Sequence, residues 1–211
     1  MHRSVRRLAP LFALLAAAAC ACREQAFVES CPDGQGLVFA DPDAPRLGPA
    51  DARVKLELFG DFQCPGTWAL WFRLAPFLDR LETDGRADAM QIRFHNFPLT
   101  QIHSRAYAAA LASEAAHEQG NDAFWSLFPM LLKSAEKLTD EDIANYAEAA
   151  NLDTAQFTSD LTSAEVEDSV EADLELAQLL GLPGTPSLLL CGIRVSADPD
   201  DLVDNLESLI Y

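Results

Sequence analysis

The residue in this chain best placed to do chemistry is Cys64. The segment Cys64-Pro65-Gly66-Thr67 puts a thiol where an alternating apolar run gives way to a helical one. A cysteine at a helix N-terminus faces unsatisfied backbone N–H groups and the positive end of the helix dipole, and both favour the thiolate. A thiolate attacks disulfides and forms a mixed disulfide with the sulfur it reaches. Thr67 lies one turn on, where its hydroxyl could donate to the sulfur; the simpler reading makes it an ordinary residue of the first helical turn. Pro65 and Gly66 complete the turn. Trp68 is the aromatic better suited to a surface groove beside Cys64, and Trp71 the one better suited to a core. Thr185-Pro186, after Gly184, is a second candidate binding segment. His95, His103 and His117 read as surface or capping residues. No Cys/His spacing resembles a zinc site, so neither a metal nor another cofactor is expected.

A thiol so placed needs a strand and a helix to hold it. Val54, Leu56 and Leu58 alternate with Lys55 and Glu57, the period of a strand, and 60–66 turns the chain. Leu70, Trp71, Leu74, Phe77, Leu78 and Leu81 then recur at helical spacing. Met90, Ile92 and Phe94 alternate with Gln91, Arg93 and His95 in a second strand, closed by Phe97-Pro98. A long helical region follows. It includes an Ala-rich stretch over 106–117 and an aromatic one over 123–132. Thr139 with Asp142, and Thr162 with Glu165, read as capping boxes at two further helix starts. Val166, Val170, Leu174, Ala177 and Leu180 form an apolar face that Gly181 stops. Glu165, Glu167, Asp168, Glu171, Asp173 and Glu175 read as its solvated face. Residues 187–190 and 193–195, joined by Cys191-Gly192, read as a hairpin. Asp198-Pro199 opens a last amphipathic helix.

This α/β order, with Cys-Pro at the first strand-to-helix turn and Thr-Pro before the hairpin, resembles the thioredoxin fold. The closer resemblance is to the DsbA-like branch, which carries a helical insertion between the second and third core strands. Phe59-Gly60-Asp61-Phe62-Gln63-Cys64-Pro65 is similar to that branch's active-site approach. Phe94-His95-Asn96-Phe97-Pro98-Leu99, followed by an Ala-rich helix, is similar to its entry to the insertion. Leu182-Pro183-Gly184-Thr185-Pro186-Ser187 and the Cys191-Gly192 turn are similar to its Gly-Thr-Pro strand and the turn beyond. The resemblance covers 51–211, with the insertion at about 98–182. It implies thiol-disulfide exchange outside the cytoplasm, on thiol- or disulfide-containing proteins or peptides. In the family two cysteines in a Cys-x-x-Cys motif do the work, and a cis proline beside them shapes the substrate surface. Pro65, Gly66, Trp68, Thr185 and Pro186 are the substrate-binding positions it implies here, with Cys64 and Thr67 at the reacting positions.

Two departures stand out. Thr67 occupies the place of the resolving cysteine. Leu58 occupies the place, six residues before Cys64, of the family's buried carboxylate; Glu57 beside it should face the other way. Dithiol chemistry therefore lacks both its second thiol and that thiol's proton acceptor. A lone Cys64 can still form a mixed disulfide, released by glutathione, another protein thiol or the substrate's own second cysteine. Three readings follow: monothiol exchange or capture, a catalytically degenerate module that binds a peptide or protein, and a glutathione-dependent enzyme, for which no site is recognisable.

The chain has 211 residues, 15 of them basic and 33 acidic, and a formal net charge of −18. So acidic a chain repels phosphate backbones, so no nucleic-acid partner is expected. His2, Arg3, Arg6 and Arg7 precede an apolar run to Cys22, broken by Pro10, that is short for a membrane span. A basic start before such a run reads as a secretory signal peptide, here 1–19. Ala17-Ala18-Ala19-Cys20 resembles a bacterial lipobox, which makes Cys20 a lipidation candidate and Cys22 its rival. The protein is then exported to the periplasm or cell envelope, with membrane contact through the lipid alone. Residues 20–50, rich in Asp-Pro, Ala-Pro and Gly-Pro pairs, read as a tether with a candidate short strand at 36–40. With Cys20 lipidated, Cys22, Cys31, Cys64 and Cys191 allow three complete pairings. In the layout that the resemblance implies, Cys31 precedes the first strand and Cys191 closes the third, both away from the active site. That makes them the structural disulfide candidates and leaves Cys22 as a candidate remote resolving thiol.

Overall fold

The computed structural model describes Val28, Cys31 and residues 43–211. The candidate signal peptide, Cys20, Cys22 and the candidate strand at 36–40 lie outside the described residues. The sheet has the order β1-β3-β2-β4-β5. Its centre is β2 (Val54–Gly60), parallel to β3 (Met90–Asn96) and antiparallel to β4 (Ser187–Leu190). Strand β5 (Ile193–Val195) pairs with β4 across the Cys191-Gly192 turn, whose two residues have φ of 50° and 81°. Two left-handed residues in a two-residue loop match the right-handed twist of the strands they join.

The opposite edge departs from the sequence reading. Arg46–Leu47, inside the expected tether, forms a short strand β1 antiparallel to β3. A two-residue strand has no period to detect, so only the pairing reveals it.

Helix α1 (Pro65–Thr83) crosses from β2 towards β3 and buries Leu70, Leu74, Phe77 and Leu81. Helix α7 (Pro199–Ile210) lies beside it, capped by Asp198, whose carboxylate accepts from the N–H groups of Asp200 and Asp201. These helices share one core with Leu56, Leu58, Leu188 and Leu190. Side chains alternate across a strand, so Glu57, Phe59 and Leu189 turn to the second face. That face is covered by α6 (Ala164–Leu179) through Leu176 and Ala177.

Between β3 and β4 the insertion adds α2 (Ala106–His117), α3 (Asn121–Lys133), α4 (Asp140–Ala149), α5 (Thr154–Asp160) and α6. Thr139 and Asp142 make the reciprocal capping box at α4. At α6 the expected Thr162 box is replaced by Ser163, whose hydroxyl accepts from the Val166 N–H. Helix α5, capped by Asp153, is only seven residues long, too short for a helical period to show in the sequence. An aromatic cluster joins the insertion to the rest. Phe128 of α3 packs against Phe62, Trp71 and Phe94, with ring centroids 4.8–5.4 Å apart. Trp71 is half-buried and packs against the core.

Candidate functional site

Strand β2 ends at Gly60, where the chain must turn in close quarters. A Cβ on Gly60 would lie 2.6 Å from Cε2 of Phe94 and 3.0 Å from Cγ2 of Thr67. The turn closes when the Cys64 N–H donates to the Asp61 carbonyl at 3.0 Å. Cys64 is then the N-cap residue of α1, with Pro65 in the first helical position and no acidic residue in the first turn. Proline fits there because its missing N–H has no helical acceptor to lose.

Cys64 is 8% exposed. Its thiol donates to the Thr185 carbonyl oxygen at 3.2 Å, and the Thr185-Pro186 peptide bond is cis. Gly66 permits this approach, for a Cβ there would stand 2.8 Å from Cδ of Pro186 and 3.6 Å from the Cys64 sulfur. Cys64, Pro65, Gly66, Thr185 and Pro186 are therefore brought together. Cys64 is the free cysteine among the described residues.

Thr67 is fully buried, one turn on. Its Oγ1 accepts from the Asp61 N–H at 3.3 Å and makes no bond to the sulfur. The residue supports the turn rather than the thiol. Leu58 is buried in the α1 face of the sheet, so no carboxylate stands behind Cys64 at that position.

Asp61 organises the turn. It is buried, with Oδ1 accepting from Gln63 N at 2.7 Å and Oδ2 accepting from Leu99 N and from Nδ1 of His103, both at 2.8 Å. Gln63 in turn ties the turn to the insertion, donating to Ala135 O and accepting from Arg105 N. Sequence reasoning missed Asp61; the available signal was an Asp at a Gly-Asp turn, where a short carboxylate bonds nearby backbone N–H groups. Beside the turn opens a cleft of about 650 Å³, lined among others by Pro65, Trp68, Ile102, His103 and Lys137. Trp68 is 41% exposed and stacks at 5.1 Å on Phe72, which is 66% exposed; Ile102 is 72% exposed. Trp68 is thus a surface residue, as its position suggested.

The second face of the sheet holds a polar cluster that corrects two expectations. His95 is not a surface histidine but fully buried, with Nε2 2.9 Å from Glu57 and Nδ1 2.8 Å from Asp173, and its ring stacks on Phe59 at 4.6 Å. Asp173 is not on the solvated face of α6 but buried, and also accepts from Asn96 N at 2.6 Å. Burial alone lowers the His95 pKa, but the bonds to Asp173 and Glu57 outweigh it and hold the value at about 9. The imidazolium offsets two buried carboxylates. Glu57 faces away from Cys64 and serves this cluster.

Cys31 and Cys191 are joined in a disulfide, with Cα atoms 5.4 Å apart across 160 residues. Cys191 follows β4 while Thr185-Pro186 precedes it, so the bridge lies at the far end of that strand from the thiol. Among the described residues no group of His, Cys, Asp and Glu is arranged to hold a metal ion, and no helix is long and apolar enough to cross a membrane.

The sequence and the fold have relatives. Residues 55–210 match the DsbA-like thioredoxin domain. The chain is 33% identical over 174 residues to the probable disulfide bond formation protein D of Bacillus anthracis, covering 78% of this chain and 77% of that protein. It is also 32% identical over 159 residues to the Na(+)/H(+) antiporter NhaA 3 of Salinispora tropica, covering 75% of this chain and 23% of the antiporter. It therefore spans about a quarter of the length of such antiporter relatives. A thioredoxin-like oxidoreductase from Silicibacter pomeroyi superposes with a TM-score of 0.67 at 25% identity, covering 79% of this chain and 92% of that one. BdbD from Bacillus subtilis shares the fold with a TM-score of 0.60 at 24% identity, over 78% and 91% of the two chains. The chain belongs to the DsbA-like thioredoxin domain family.

Proposed function

We propose that this protein is an exported monothiol member of its family, which exchanges or captures disulfides of protein or peptide substrates through Cys64. One observation carries the reading. A free thiol caps α1 against the cis-proline segment, while the position one turn on holds a buried Thr67 committed to the backbone. The site keeps a nucleophile and its substrate surface without a second cysteine one turn on.

The step is a thiol-disulfide exchange. The Cys64 sulfur loses its proton and bonds to one sulfur of the substrate disulfide. The substrate S–S bond breaks, and the departing sulfur takes up a proton. A second thiol, from glutathione, another protein or the substrate itself, then attacks the mixed disulfide and restores Cys64. Oxidation of a substrate dithiol by Cys64 alone does not balance and is not part of the proposal. Export by the 1–19 segment and lipid attachment at Cys20 complete the reading, and the mass of the mature N-terminus tests them.

A second reading, a binding module without covalent chemistry, is favoured by the exposed Trp68, Phe72 and Ile102 near the turn. Trapping on the full-length protein separates the two. Under the first reading, mixed disulfides form with substrate proteins and vanish in Cys64→Ser. Partner binding that persists unchanged in Cys64→Ser, with no mixed disulfide in the parent protein, overturns it in favour of the module.

A further inference from the structure

We propose that His103, held by Asp61, is the acid that protonates the departing sulfur when Cys64 attacks a disulfide. The inference deepens the thiol-exchange reading and rests on it. Attack on an alkyl disulfide expels a basic thiolate, and such a group leaves faster when a positioned acid supplies its proton. The carboxylates next to the turn do not fill this role. Leu58 stands at the buried position behind the thiol, and Glu57 is turned to the second face and taken up by His95.

His103 is built for it. Its Nδ1 lies 2.8 Å from Oδ2 of the buried Asp61. A carboxylate accepts there, so Nδ1 carries a proton and the ring orientation is set. Nε2 has no hydrogen-bond partner among the described residues, and His103 lines the cleft together with Pro65, the residue bonded to Cys64, and Trp68, one turn on in α1. The same Asp61 accepts the Cys64 N–H through its carbonyl and the Gln63 N–H through Oδ1. One buried residue therefore fixes both the turn that presents the thiol and the ring that faces the cleft. In the step, the Cys64 proton goes to solvent and the S–S bond of the substrate passes to Cys64. The imidazolium gives its Nε2 proton to the expelled sulfur and is reprotonated from solvent. One disulfide and one thiol are consumed and one of each is formed.

The test uses the full-length protein, with reaction at Cys64 read by peptide mass spectrometry. Hydroxyethyl disulfide expels a basic thiolate that needs a proton, whereas dithiobis(nitrobenzoate) expels an acidic one that does not. Iodoacetamide reports the nucleophile alone. His103→Asn keeps an amide N–H for Asp61 but supplies no proton, so a merely structural role survives it. The ratio of the alkyl to the aromatic exchange rate is expected to fall about 10²-fold in His103→Asn, the low end of what a positioned acid contributes. An unchanged ratio overturns the role of His103 while leaving the reactive Cys64 intact. A parent protein whose Cys64 reacts with neither disulfide nor iodoacetamide overturns the thiol-exchange reading itself. His103→Gln gives the same ratio test if His103→Asn fails to fold.

Discussion

Asp173 in α6 reaches across to His95 in β3 at 2.8 Å, and by that contact the insertion is fastened to the second face of the sheet. Burial works against the charged ring, yet Asp173 and Glu57 hold its pKa at about 9, above the ordinary 6.5. A folded-state value above the unfolded one gives stability that is fully present below about 6.5 and lost as pH rises through about 9. The expected outcome is that the stability difference between the parent protein and His95→Gln shrinks across that window. Urea midpoints at a series of pH values check it, and a difference flat in pH contradicts the account.

Gly66 should tolerate no side chain. The Cβ of Gly66→Ala would meet Cδ of Pro186 at 2.8 Å, so either the start of α1 or the Thr185-Pro186 segment must shift. Overpacking of this kind costs about 1–3 kcal/mol. Denaturant unfolding should show that loss, and Cys64 alkylation should change because the Thr185 carbonyl moves from its sulfur.

Thr67→Cys should return a dithiol to the site. The position lies one helical turn from Cys64 and Thr67 is buried beneath it. The oxidised variant is expected to carry a Cys64-to-67 disulfide and to resist alkylation at both sulfurs, read by peptide mass. Loss of the Thr67 hydroxyl leaves the buried Asp61 N–H without its partner, at a cost of about 1–3 kcal/mol in the reduced form. Rapid alkylation of both sulfurs after oxidation would count against the geometry described here.

Removing the Cys31–Cys191 bridge by the double change Cys31→Ser and Cys191→Ser should lower stability by about 2–5 kcal/mol, because it closes a long loop. The reactivity of Cys64 should persist, since the bridge sits beyond the other end of β4. Calorimetry and alkylation measured on the same preparation separate the two effects. Asn205 still holds Val28 through two hydrogen bonds, so Val28 stays attached to α7.

The thiol turn, the Thr-Pro segment and the order of elements were legible because each is local. A strand alternates, a helix repeats, and a turn is written in consecutive residues. The His95 cluster was not, since its partners are 38 and 78 residues away. A signal for Asp173 did exist. The buried stripe of α6 is Val166, Val170, Asp173 and Ala177, so the helical period itself places that carboxylate inward. Reading Leu174 into the stripe instead followed hydrophobicity over spacing. Likewise His95 falls in a strand covered on both faces, where alternation alone no longer means exposure. His103 reads as a surface or capping residue in the sequence because its setting comes from Asp61, a residue that alternation and helical period do not mark.

The sheet is bounded by a strand of two residues on one side and three on the other. Long, flat outer strands recruit extended polypeptide by backbone pairing, and natural proteins blunt them by keeping them short. Among the described residues, β1 and β5 themselves therefore offer a stray chain only two and three residues of outer edge to pair with.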